Sequence, residues 1–453
     1  MTVEAPARGL SQVVEAAMRE HPVPGVAVGL VADGEETVAG FGVTNVDHPL
    51  AVDGDTLFQI GSITKTVTAT AIMRLVEAGR LSLDAPVRTY LPELRLKDED
   101  VAARVTLRHL LTHHGGWFGD VFDDTGVGDD ALARYVAKLA TVEQLTPLGA
   151  LWAYSNAGFA VAARVLEVAT AMTAEAALDD LVLRPLGMKR SFLFARDAIT
   201  HRVAAGHFVY DEGPAVARPW YIPRSAHAIG GIVSSARDML TYARFQLGDG
   251  AARDGTRLLA SATLRSMQTR QAPGALDSSV GIAWSLRELD GVSFVSHGGG
   301  TIGQLALFAV APARGFGLVV LTNSGSGAFV HQAVARWAYR TYAGVELPVP
   351  LAQERSAGEL AAYVASYVSP GNTYDLALEE GALVMRSTPK VALAEQFERK
   401  PPMPPPARIA FYRSDRIVVL DGPLKDVEGE FLRDERGAIE WLRIGGRIHR
   451  RVR

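Results

Sequence analysis

The chain has 453 residues, 48% of them hydrophobic and 21% charged, the balance of a globular protein with a sizeable core and room for one large and one small domain. A formal net charge of −4 offers no basic surface for nucleic acid or an anionic membrane, and the absence of cysteine excludes disulfides, thiolate metal sites and cysteine nucleophiles. No stretch reaches the ~18 uninterrupted apolar residues of a bilayer span. Residues 1–22 lack a basic segment followed by an apolar one, so the expected location is cytoplasmic.

Helical spacing over residues 10–19 stops before His21-Pro22, where proline restricts its predecessor. Residues 26–31 and 36–41 flank Ala32-Asp33-Gly34 and read as a hairpin. Ser62-Ile63-Thr64-Lys65 then heads a helical run that ends near Gly79. Residues three apart on a helix have Cβ atoms about 5–6 Å apart, so Lys65 Nζ can reach Ser62 Oγ. The helix N-terminus favours negative charge on or beside Ser62. A lysine used as a base must be neutral part of the time, which burial achieves. The run beyond Lys65 is mostly apolar or small, with only Arg74 and Glu77 charged.

Residues 83–96 are punctuated by proline and loop-like, and residues 106–113 form a short helix broken at Gly115-Gly116. Residues 131–139 and 157–171 are helical by period. Between them Tyr154-Ser155-Asn156 is extended, so Tyr154 and Asn156 point the same way. A tyrosine beside a lysine can relay a proton, and an asparagine can hold an amide carbonyl and a lysine at once. Residues 184–188 make a turn, and residues 230–238 lead into a helix ending near Gln246. Strands follow at 292–296, 304–310 and 317–321, then a helix at 330–342. Ser296-His297-Gly298-Gly299-Gly300-Thr301 sits between the first two of these strands. Its glycines let a ligand lie against bare backbone, and an N–H there can complete an oxyanion hole.

Leu347-Pro348-Val349-Pro350 marks the domain boundary, dividing the chain into residues 1–346 and 347–453. Short strands at 374–378, 382–386, 409–412, 416–420, 429–433 and 439–444 make the second part a small all-β module. The proline run at 400–406 reads as a solvated connector. Arg443, Arg447, Arg450, Arg451 and Arg453 read as a solvated strand face. His113, His114, His201, His207 and His227 have no metal-ligand pattern and read as structural, so neither metal nor cofactor is expected.

Three motifs in order, Ser62-x-x-Lys65, Tyr154-x-Asn156 and His297-x-Gly299, resemble the signature of the serine β-lactamase and DD-peptidase superfamily. They are most similar to its class C β-lactamase, D-stereospecific peptidase and esterase branch. Residues 106–113, 184–188, 230–238 and 321–323 resemble further landmarks of that branch, and the likeness covers roughly residues 8–345. It implies an α+β, β-lactamase-like fold, with an antiparallel sheet built from both ends of the domain and flanked by helices. A mostly helical insert over about 80–230 would close the cleft. The small all-β, barrel-like C-terminal domain resembles the lipocalin-like appendage of some relatives, where it shields the cleft or mediates assembly.

The resemblance implies that Ser62, Lys65 and Tyr154 are catalytic, that Asn156, His297 and Gly299 bind substrate, and that the Ser62 and Gly300 amides form the oxyanion hole. His297 stands where the antibiotic-destroying enzymes carry lysine. A histidine is mostly neutral at pH 7, which weakens recognition of a carboxylate by roughly 1.5–3 kcal/mol. The expected function is a serine hydrolase working through an acyl-enzyme on small peptides, those with D-residues among them, amides or esters. β-Lactamase or DD-carboxypeptidase activity is the alternative, and a ligand sensor that acylates once and stalls is a further one. Expected partners are a small-molecule or short-peptide substrate and other copies of the chain in a homo-oligomer. The Gly-x-Ser-x-Gly elbow of an α/β-hydrolase is absent.

Overall fold

In a computed structural model, residues 4–390 and 397–452 are described. Strands β1 (Gly25–Ala32) and β2 (Glu35–Gly42) form the expected hairpin, turning at Asp33 and Gly34, whose φ angles of 51° and 82° suit a tight two-residue turn. Every residue of β1 is buried, because the sheet is covered on both faces. Val26, Val28 and Leu30 pack with Leu10 and Val14 of the helix Glu4–Glu20 and with Val330 and Val334 of the helix Gly327–Ala338. Ala27 and Val31 point the other way, into a core shared with Met239 and Ala243 of the helix Ala236–Leu247.

In the middle of the chain, β3 (Leu57–Gln59) pairs with β6 (Val233–Ser235), and β4 (His207–Tyr210) with β5 (Gly213–Val216). The main sheet resumes with β7 (Ala272–Pro273), β8 (Ser279–Val280), β9 (Ser285–Leu289), β10 (Val292–Gly300), β11 (Leu305–Ala311) and β12 (Phe316–Thr322). Its order is β2-β1-β12-β11-β10-β9-β8-β7. Val26 of β1 lies opposite Thr322 of β12, so the two ends of this part of the chain close the sheet, as expected. Residues 292–296 were expected as a strand ending before the glycines. Instead β10 runs on through Gly300, with His297 opposite Phe308 and Gly300 opposite Leu305.

The C-terminal part is a closed antiparallel barrel of β13 (Ala365–Val368), β14 (Asn372–Glu379), β15 (Ala382–Pro389), β16 (Ala407–Phe411), β17 (Arg416–Val419), β18 (Glu428–Arg433), β19 (Ile439–Ile444) and β20 (Arg447–Val452). Alternate residues such as Leu383 and Met385, Ile409 and Phe411, and Leu442 and Ile444 join one apolar cluster, the pattern of a small barrel filled by its own side chains. Tyr363, Phe411 and Phe431 close it, with ring centroids 4.5 and 4.7 Å apart about Tyr363.

Arg453 lies outside the described residues, and among the other four C-terminal arginines the reading as a solvated face fails at two positions. Arg443 is buried against Glu430, 2.7 Å away, and also donates to Trp152 O. Arg447 is paired with Asp120 on the other side of the domain junction. A cation every few residues along a strand says nothing about which face another domain will cover.

Candidate active site

Ser62 lies in the tight turn Gly61–Ile63, immediately before the helix Thr64–Glu77. Gly61 has φ +53°, and a Cβ there would stand 2.5 Å from Gly300 N. A Cβ on Gly299 would stand 1.9 Å from Ile60 O. The end of β10 and the serine turn are therefore backbone against backbone, and only glycine permits that approach. The arrangement puts the Ser62 and Gly300 amides on adjoining main chain at one wall of a cavity.

Lys65 is fully buried. Its Nζ lies 3.0 Å from Ser62 Oγ and donates to Ile229 O at 2.8 Å. Burial, and then the positive charge of Arg447, hold its pKa well below the usual lysine range, while Asp120 acts more weakly in the opposite direction. A neutral amine keeps a lone pair for the serine proton while one N–H stays on Ile229 O.

Tyr154 reaches the same serine. Burial pushes its phenol up to about 12, and a hydrogen bond with Ser62 and the charge of Arg447 pull it back. The ring is stacked on His113 at 4.3 Å and lies under the Arg447 guanidinium at 4.6 Å. Its main-chain N–H donates to Gly446 O, 2.9 Å away in the barrel turn between β19 and β20. Ser155 caps the helix Asn156–Thr170 by accepting from Gly158 N at 2.9 Å. That cap turns Asn156 into the cavity, where its amide donates to Asp120 at 2.7 Å.

His297 is half-buried at the cavity wall, 6.1 Å from the Tyr154 ring. Its Nδ1 lies 2.6 Å from Gly298 O. The surrounding protein, and then the nearby Lys65, lower its pKa to about 4. It is neutral at pH 7, as a histidine in place of the family's lysine was expected to be.

Ser62, Tyr154, Asn156, His297, Gly299 and Gly300 all line one cavity of about 1210 Å³, with Lys65 beneath Ser62. All seven residues singled out in the sequence thus come together. Two others, Arg447 and Asp120, reach the same cluster and were not singled out as site residues. Arg447 Nε and Nη2 sit 2.9 and 3.2 Å from the Asp120 carboxylate. Burial alone would lower the guanidinium's pKa, but the Asp120 charge and hydrogen bonds outweigh it. His113, read as structural, supports the tyrosine: Ser155 N–H donates to its Nδ1 at 3.0 Å. Its φ of +61°, rare outside glycine, was not visible as a signal. Gly445-Gly446 before Arg447 was the available hint of a tight turn approaching another backbone. Among the described residues no cluster of three His, Asp or Glu could hold a metal ion.

Residues 10–341 match the family model described as Beta-lactamase. The chain belongs to this family. It is 37% identical over 342 residues to penicillin-binding protein 4 of Amycolatopsis lactamdurans, covering 74% of this chain and 90% of that one. It is also 37% identical over 196 residues to esterase EstB of Burkholderia gladioli, 40% of this chain and half of the esterase. Among solved structures, SurE superposes with a TM-score of 0.76 over the whole of both chains at 25% identity. The octameric penicillin-binding protein homologue of Pyrococcus abyssi does so with 0.65, at 21% identity over 99% of this chain and all of that one. The family's members include penicillin-binding proteins, β-lactamases and esterases, so β-lactamase-family membership leaves a choice among substrates. Among the described residues no single helix is long and apolar enough to cross a membrane.

Proposed function

We propose that the chain is a serine hydrolase that forms an acyl-enzyme on Ser62 and cleaves short peptides, including those with D-residues, amides or esters. The observation that carries this reading is the 3.0 Å approach to Ser62 Oγ of a buried lysine whose pKa is held well below the usual lysine range. Lys65 takes the Ser62 proton as Oγ bonds to the carbonyl carbon. The Ser62 and Gly300 amides receive the oxyanion. As the tetrahedral adduct collapses, Tyr154 gives its proton to the departing nitrogen or oxygen and recovers one from Lys65. Water then repeats the attack on the ester, with the same groups moving its proton. Asn156 orients the substrate, and His113, Asp120 and Arg447 position Tyr154 and tune Lys65.

The neutral His297 favours this reading over a β-lactamase or DD-carboxypeptidase, which would meet a carboxylate with a fixed cation. Of the two arginines that line the cavity, Arg287 and Arg447, the one beside Tyr154, Arg447, is already matched by Asp120. A fluorophosphonate probe should add covalently to the wild-type chain and not to Ser62→Ala. An adduct on Ser62→Ala would move the nucleophile elsewhere. Turnover of a D-aminoacyl anilide and a p-nitrophenyl ester should exceed that of a chromogenic cephalosporin, and the reverse order would favour the lactamase.

A further inference from the structure

Not all of the cavity wall comes from the family domain. Phe397 and Pro401, just ahead of β16 in the barrel, line it together with Phe208 of β4 and the Pro219–Pro223 segment. The Phe397 and Phe208 rings meet edge to face at 5.3 Å, and each is only half-buried, so apolar surface remains for a ligand. Residues 397–401 are tied to the β4–β5 hairpin and its flank at several points. The Arg399 guanidinium lies 3.5 Å over the Tyr210 ring and pairs with Glu212 at 3.2 Å. Tyr210 OH donates to Lys400 O at 3.1 Å, and Glu398 N to Arg218 O at 3.3 Å. The proline run expected to be a solvated connector thus begins as a piece of pocket wall.

The hairpin is fixed to the oxyanion strand's far end. His207 N donates to Gly303 O at 3.0 Å, just past Gly300. The polar groups of the site gather instead around Tyr154: Lys65, Asp120, Asn156 and Arg447. A leaving group must lie beside the phenol that protonates it. The acyl portion of the substrate then faces the wall of Phe208, Ile222, Phe397 and Pro401. The cavity, at about 1210 Å³, exceeds the roughly 300–1,000 Å³ of an ordinary small-ligand site.

We propose that Phe397, held against Phe208 by the Arg399–Tyr210 tie, determines specificity for a peptide acyl group with bulky apolar side chains. This rests on the hydrolase reading for the orientation of the substrate, but its test does not require turnover. In the Ser62→Ala chain, calorimetric titration with acetyl-tetraleucine amide and acetyl-tetra-alanine amide gives the leucyl preference directly. The leucyl peptide should bind more tightly, and Phe397→Ala should reduce that preference about tenfold, the usual effect of removing a large apolar contact. Phe397→Leu should restore part of it. Arg399→Ala, which alters no wall residue and removes the segment's contacts with Tyr210 and Glu212, should lower the preference in the same direction. No leucyl preference in Ser62→Ala, or a preference that survives both Phe397→Ala and Arg399→Ala in chains with unchanged circular dichroism, overturns the proposal. Failure of the fluorophosphonate test with the preference intact would instead overturn the hydrolase reading and leave the wall's selectivity standing.

Discussion

An uncharged lysine amine in a protein interior costs stability. The unfolded chain carries that amine as a solvated ammonium below pH ~10, whereas burial in the native chain holds the Lys65 pKa far lower. The penalty is absent above the unfolded pKa and grows as pH falls from there towards the native one. Lys65→Met is therefore expected to abolish acylation and yet stabilise the fold by about 0.5–2 kcal/mol. Its melting temperature should exceed that of the wild type at pH 7 and approach it at pH 10. The same depressed pKa fixes the rate profile. kcat/KM should rise with pH through the titration of Lys65 and then hold, because Tyr154, pushed to about 12, stays protonated across the range. His297, lowered to about 4, should not titrate between pH 5 and 8, so His297→Asn should leave the position of the acid limb where it was. Tyr154→Phe should cost roughly 10²–10⁴ in turnover of anilides and less for p-nitrophenyl esters, whose leaving group needs no proton.

Elements decide how these residues meet. The serine turn works because β10 presses against it without side chains, a contact that needs glycine at 61 and at 299. Gly299→Ala would drive a methyl into Ile60 O and displace the Gly300 amide from its proposed place at the oxyanion. A loss of roughly 10²–10³ in kcat is expected, with the chain still folded by circular dichroism. A slow fluorophosphonate reaction in a chain of normal melting temperature would confirm that split. At this scale much was legible in the sequence. The Ser62 helix, the Tyr154–Asn156 segment and the hairpin each carry local periodicity or turn chemistry, and the three motifs stand in order. The continuation of β10 through Gly298 to Gly300 was not legible, since glycine carries no strand preference. Pairing with Leu305 to Leu307 decides it instead.

The whole molecule contributes what no element contains. The turn between β19 and β20 brings Gly446 and Arg447 to Tyr154 from the other end of the chain, and Asp120 receives the cation. Neither residue was legible as part of the site, because a lone arginine or aspartate has meaning only once the barrel is docked. Their charges act on Lys65 with opposite sign, Arg447 lowering its pKa and Asp120 raising it. Arg447→Met should therefore move the acid limb of kcat/KM to higher pH, and Asp120→Asn should move it lower. The double variant should fall between the two. Limbs that stay in place in both single variants would reduce the pair to a mechanical clamp between domains.

The antiparallel closure of β1 on β12 has a consequence for biosynthesis. Val26 waits for Thr322, about three hundred residues further along. At ribosomal speeds of about 5–20 residues per second the hairpin spends roughly 15–60 s without its neighbour. During that interval a wholly apolar strand stands with an open edge, able to zip onto another nascent copy. Yield in a heterologous host should depend on holdase chaperones and on low growth temperature more than on the stability of the finished molecule.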